Sequence, residues 1–147
     1  MNNYKIVQLT CGLGNQMFQY AFAKSLSKHL DSTILLDKAW FKDYPDKYAL
    51  EIFNLDLEFA TPSQIQKATK RQTRLPRFLR KLLKKEKYAI TTSGAFEFHE
   101  AYLKPNSWKY FIGFFQHPKY LEGIEAEIKQ IFTPPPHIPM MILSRKD

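Results

Sequence analysis

Lys5-Ile6-Val7-Gln8-Leu9-Thr10-Cys11-Gly12-Leu13-Gly14-Asn15-Gln16 is the stretch whose reading decides the fold. Its first six residues alternate polar and apolar and include β-branched side chains, the pattern of a strand. The alternation stops at Cys11, where a Gly-x-Gly turn begins. Beyond it, Met17, Tyr20, Ala21, Leu26 and Leu30 recur among good helix formers and predict a helix over residues 16–30. Thr33-Ile34-Leu35-Leu36-Asp37 then reads as a buried strand. Strand, glycine turn, helix and strand form a βαβ unit, which implies a parallel sheet with a right-handed crossover. Ligands of such sheets gather at the carboxyl ends of the strands, where the Gly12–Asn15 loop lies. A Gly-x-Gly turn there permits unusual backbone angles, lets a ligand approach the main chain and aims N–H groups at an anion. A purely structural βα turn carries the same glycines, so the turn alone leaves both readings open. A dinucleotide fingerprint requires a third Gly or Ala where Met17 stands, although Asp37 lies at the distance of an acidic ribose ligand.

Working outward, the 147 residues fit one domain, and 44% hydrophobic with 24% charged residues match an ordinary globular chain. The longest apolar runs, such as 111–115, fall far short of the ~20 residues of a membrane-spanning helix. The N-terminus lacks the basic patch and apolar stretch of a secretory signal, so a cytoplasmic location is expected. A single cysteine, Cys11, forms no internal disulfide, and the four histidines show no metal-ligand spacing, so no metal is expected. The net charge of +8 is local: ten bases against Glu86 lie between Lys67 and Lys87, leaving 12 bases and 13 acids elsewhere. Within that segment Leu75, Phe78, Leu79, Leu82 and Leu83 predict an apolar helical stripe. Arg77, Arg80, Lys81 and Lys84 flank it, either as a solvated face or as contacts to an anionic membrane surface on the cytoplasmic side of the inner membrane. Nucleic acid is not an expected partner, for want of interleaved aromatics and of a recognition motif. Pro62 starts a short helix with Thr61 as its cap, and residues 110–116 read as a buried strand carrying Gln116 at its carboxyl end. A helix over 119–132 points Leu121, Ile124, Ile128 and Ile131 inward.

The string from Cys11 to Leu26, CGLGNQMFQYAFAKSL, resembles the N-terminal signature of glycosyltransferase family 11, the bacterial and animal α-1,2-fucosyltransferases, usually GGLGNQMFQYA. Cys11 replaces its first glycine. The likeness continues through Leu36-Asp37, residues 50–55 and residues 110–116, covers roughly residues 4–133 and is nearest to the Helicobacter-type members that modify lipopolysaccharide. It implies an α/β fold, the N-terminal Rossmann-like domain of a GT-B-type enzyme over residues 1–133, with a parallel sheet flanked by helices. The implied reaction transfers L-fucose from GDP-fucose, the donor substrate, to the 2-hydroxyl of a terminal galactose on a glycan acceptor, with inversion and without metal or other cofactor. The implied substrate contacts are Gly12, Gly14, Asn15 and Gln16, and Gln116 stands as a further sugar-binding candidate; no catalytic base emerges. The family's second signature, an HxRRGDY-type segment that binds the GDP diphosphate, is absent from the 147 residues. The expectation is therefore an inactive N-terminal part. Residues 134–147 form a proline-rich tail, unstructured or frameshifted, because a proline run can be encoded by slippage-prone cytosines. The alternatives from other classes are a nucleotide-binding Rossmann domain and a membrane-associating basic-helix module without catalysis.

Overall fold

The computed structural model describes residues 3–69, 90–106, 108–134 and 136. Four strands, β1 (Tyr4–Gln8), β2 (Thr33–Asp37), β3 (Ile90–Ser93) and β4 (Tyr110–Gly113), form one sheet in the order β2-β1-β4-β3. Every pairing is parallel, with Ile6 opposite both Leu35 and Tyr110. The chain at Phe59 adds a parallel bridge to Leu36 beyond β2.

Period-two alternation assigns each strand residue to one of two faces. Val7, Leu9, Ile34, Leu36 and Phe111 meet helix α1 (Leu13–His29), while Ile6, Leu35 and Tyr110 meet helix α2 (Pro62–Thr69) through Ala68 and Ile65. Both faces are covered, which is why Ile34-Leu35-Leu36 is an unbroken apolar run. The parallel sheet flanked by helices agrees with the α/β expectation, and the architecture is Rossmann-like.

Several elements differ from the sequence expectation. Helix α1 starts three residues earlier, at Leu13, and its buried surface is broader than the expected stripe: Gln16, Gln19, Phe22, Ala23 and Ser25 join Tyr20, Ala21 and Leu26. A helix enclosed by the sheet on one side and short turns on the other has little solvent face, so an amphipathic template captures it poorly. The predicted 110–116 strand ends at Gly113, leaving Gln116 in the following loop. The predicted 119–132 helix divides into a 3₁₀ turn over Pro118–Leu121 and helix α3 (Glu125–Ile131). Gly123, at φ 77°, makes the break, and its carbonyl accepts a 2.6 Å hydrogen bond from Lys28. Ile124 is buried as expected, whereas Leu121, Ile128 and Ile131 are half-buried. At α2, Thr61 and Gln64 close a reciprocal cap: Gln64 N–H donates to Thr61 Oγ1 and Thr61 N–H to Gln64 Oε1. The expected basic helix with Arg77, Arg80, Lys81 and Lys84 lies outside the described residues, as does most of the proline-rich tail.

A candidate ligand crevice at the carboxyl ends of β1 and β4

Strands β1 and β4 are neighbours in space but not in sequence. The chain leaving β1 turns toward β2, and the chain entering β4 arrives from β3 on the opposite side. Ligands of parallel sheets bind beyond such strand ends, and the space there is the candidate crevice. Two loops border it, residues 9–12 after β1 and residues 114–117 after β4.

Both loops carry a non-glycine residue in the left-handed region, Cys11 at φ 65° and Phe115 at φ 52°, and they are the two such residues among those described. This conformation costs an L-residue on the order of 1 kcal/mol or more and persists only where the surroundings enforce it. Around Cys11 the enforcing group is Gln16. Its Nε2 donates to the Cys11 and Lys47 carbonyls, each at 2.7 Å, and its Oε1 accepts from Ala49 N–H at 3.1 Å. Around Phe115 it is the aromatic core: the ring stacks on Phe22 at 3.8 Å and meets Tyr120 edge-on. Gln19 ties the two loops together, accepting from Thr10 N–H at 2.8 Å and donating to Thr10 Oγ1 and, at 2.9 Å, to the Gly113 carbonyl. Gln16 and Gln19 are fully enclosed, so in this structure Gln16 offers no surface to a ligand and instead shapes the turn.

Asn15 and Gln116 stand at these strand ends, one in the first turn of α1 and the other in the loop after β4. Both are half-buried, and Gln116 Nε2 donates to Asn15 Oδ1 at 2.8 Å across the gap between the loops. The Gln116 N–H is held by the Ala95 carbonyl at 2.8 Å, which links the site to the loop after β3. Gly12 is the N-cap residue of α1 with no side-chain cap, and the first-turn N–H groups of Leu13, Gly14 and Asn15 have no acceptor among the described residues. Gly14 is exposed, and a Cβ there would meet nothing within 4 Å. Internal packing therefore gives no reason for a glycine inside this helix, where it costs about 1 kcal/mol relative to Ala.

Asp37, at the carboxyl end of β2, is buried and fully engaged. Its Oδ1 accepts from Ala39 N–H at 2.7 Å and its Oδ2 from the Tyr110 hydroxyl at 2.5 Å. Burial, together with this carboxylate, pushes the Tyr110 phenol well above its ordinary pKa. Gln19 and Tyr110 are the positioning residues that sequence reasoning missed; Gln19 lay within the quoted signature, but nothing local marks a glutamine that bonds 94 residues away. Among the described residues no three His, Cys, Asp or Glu side chains gather as a metal site. No helix among them is long and apolar enough to cross a membrane.

A doubly covered parallel sheet with a glycine turn at the carboxyl end of its central strand β1 defines a Rossmann-like domain. The chain is similar to a glycosyltransferase, an alpha-1,2-colitosyltransferase of Escherichia coli, with 31% identity over 135 residues. That alignment takes in 88% of this chain, and the chain spans 44% of the length of that relative. No family model matches the sequence. No solved structure matches it either.

Proposed function

We propose that this chain carries the N-terminal Rossmann-like domain of a GT-B-type, inverting α-1,2-glycosyltransferase, of the Helicobacter-type fucosyltransferase kind, which moves L-fucose from GDP-fucose to the 2-hydroxyl of a galactose-terminated glycan. The observation that carries the reading is the Asn15–Gln116 pair beside the Gly12–Gly14 backbone at the carboxyl ends of β1 and β4, set within a chain similar to a glycosyltransferase. An in-line transfer requires the acceptor oxygen to be positioned as the sugar–phosphate bond breaks, and it requires donors for the charge developing on the leaving diphosphate. The unsatisfied amides at the start of α1 are donors of that kind, and the open space over Gly14 admits the group they would serve. Asn15 and Gln116 supply amide groups for sugar hydroxyls, while Gln16 and Gln19 hold the loops that present them.

Colitose is L-fucose without its 3-hydroxyl, so fucose and colitose donors differ by one hydrogen-bonding group. A site that hydrogen-bonds that hydroxyl rejects the analogue strongly, whereas an apolar site separates the pair weakly. The dinucleotide alternative is less well supported, because the Asp37 carboxylate is fully used by Ala39 and Tyr110.

The test is saturation-transfer NMR on the full chain with lactose, GDP-fucose and GDP-colitose, comparing wild type with Asn15→Ala and Gln116→Ala. The expected result is saturation of the galactose or donor protons in wild type, with ligand titrations giving about tenfold weaker Kd in either variant, a loss of ~1.4 kcal/mol, in the range of one hydrogen bond. Equal Kd in wild type and in both folded variants would remove these residues from the site.

A further inference from the structure

A second cavity, separate from the crevice, opens beyond the carboxyl end of β2. It encloses about 590 Å³, within the range of small-molecule sites. Its walls are the side chains of Phe41, Tyr48, Phe59 and Ile65, and its lining includes Lys38 and Lys42. The Lys38 ammonium rests over the Phe59 ring at 4.6 Å and the Tyr48 ring at 5.6 Å. Lys38 and Lys42 are both exposed and neither has a carboxylate partner among the described residues, in contrast to Lys24, paired with Asp56 and Glu127, and Lys104, paired with Glu100. The one acid in the lining, Asp37, is buried and hydrogen-bonded to Ala39 N–H and the Tyr110 hydroxyl rather than to either lysine, so the two lysines outweigh it in charge at the rim.

We infer that this cavity binds a small molecule with an apolar body and a phosphate-like anionic group. The aromatic walls take up the apolar body, removing its surface from water and stacking against it if it is planar. The two lysines hold the anion as point charges at the rim. Lys38 gains most, because its ammonium would exchange a weak contact with two rings for a charge-assisted hydrogen bond while keeping the ring contact through its stem. The inference does not depend on the transfer reading, since its residues are distinct from Asn15 and Gln116.

Amide-resolved NMR titrations of the full chain distinguish the two. The probes are p-nitrophenyl phosphate, farnesyl phosphate, inorganic phosphate and p-nitrophenyl β-galactoside. The expected result is that a phosphate with an apolar body shifts the amides of Lys38, Ala39, Phe59 and Ala60 and binds at least tenfold tighter than inorganic phosphate or the uncharged galactoside. The better of the two phosphates identifies an aromatic or a lipid source. Lys38→Gln combined with Lys42→Gln should weaken that binding at least fivefold, and Phe59→Ala should do so while leaving inorganic phosphate unchanged. Because the lysine pair is exposed, its substitution leaves the fold intact and keeps the test decisive if Phe59→Ala misfolds. Affinity unchanged in the lysine double variant, or shifts confined to residues 12–16 and 116, would overturn the inference.

Discussion

At the scale of single residues, the most informative position is Cys11, where the chain departs from the glycine of the signature it resembles. The backbone there is left-handed, φ 65°, so the departure places a side chain where glycine has the conformational advantage. Cys11→Gly should therefore raise stability by about 1 kcal/mol, the relief of strain being partly offset by the greater freedom of glycine in the unfolded chain. Urea unfolding of the two proteins measures it, and a loss of stability would mean that the thiol packs productively. Gly113 behaves oppositely. A Cβ there would lie 2.9 Å from the Ser93 carbonyl and 3.1 Å from the Phe115 ring, in a backbone region that disfavours side chains. Gly113→Ala should cost roughly 1–3 kcal/mol and disturb the Gln116 loop, visible as a lower unfolding midpoint. At this scale the place of the turn after β1 was legible but not its conformation: Gly12 has an ordinary extended backbone at φ −77°, and the left-handed residue is Cys11. Nor was Asp37 legible: an acid after a strand could equally face a ribose, and only the fold, bringing in Tyr110 across 73 positions, commits its carboxylate.

The elements were legible in proportion to how far local pattern and tertiary burial agree. Strand β2 was expected over Thr33–Asp37 and occurs there, because burial on both faces leaves an uninterrupted apolar run. Helix α1 was recognised as a helix, but its inward residues were only partly found, since Gln16, Gln19 and Ser25 are polar and buried. Its outer side is tied down by a charged cluster: the Tyr20 hydroxyl donates to Asp56 Oδ1, and Lys24 bridges Asp56 Oδ2 and Glu127, each at 2.7 Å. Burial tends to raise the Asp56 pKa, but hydrogen bonds from Lys24 and Tyr20 outweigh it and hold the carboxyl below the usual range. A carboxylate whose folded pKa is depressed stabilises the fold above its unfolded pKa of about 4 and loses that contribution as pH falls through the folded value. Stability should thus decline on acidification below about pH 4, and Asp56→Asn should flatten that part of the curve while lowering stability at pH 7. Denaturant melts between pH 3 and 7 on both proteins provide the measurement. Parallel curves would assign the acid sensitivity to other carboxyls.

At the scale of the whole molecule, the two faces of the sheet are unequally packed among the described residues. The α1 side holds a continuous cluster that includes Phe22, Phe111, Phe115 and Tyr120, with Phe22 in contact with Tyr102 and all three of the others. The α2 side has a small cluster around Ile6, Leu35, Ala68 and Tyr110. The loops after β1 and β4 belong to the better-packed half, since Phe115 and the Gln19 bridge join them to the α1 core, whereas the aromatic cavity beyond β2 lies between the two clusters, with Phe41, Tyr48 and Phe59 on the α1 side and Ile65 on the α2 side. A ligand at the crevice therefore meets preorganised loops, and one at the cavity fills space near a lightly packed helix. Local opening follows the number and quality of buried contacts. Amide hydrogen exchange should be slowest in β1, α1 and β4 and distinctly faster in α2. Phe22→Ala should cost on the order of 3–5 kcal/mol and accelerate exchange throughout those three elements. Ile65→Ala, from a half-buried site on α2, should cost about 1–2 kcal/mol and act chiefly on α2 itself. Equal protection of α1 and α2, or equal costs for the two substitutions, would show that the sheet is stabilised from both sides alike.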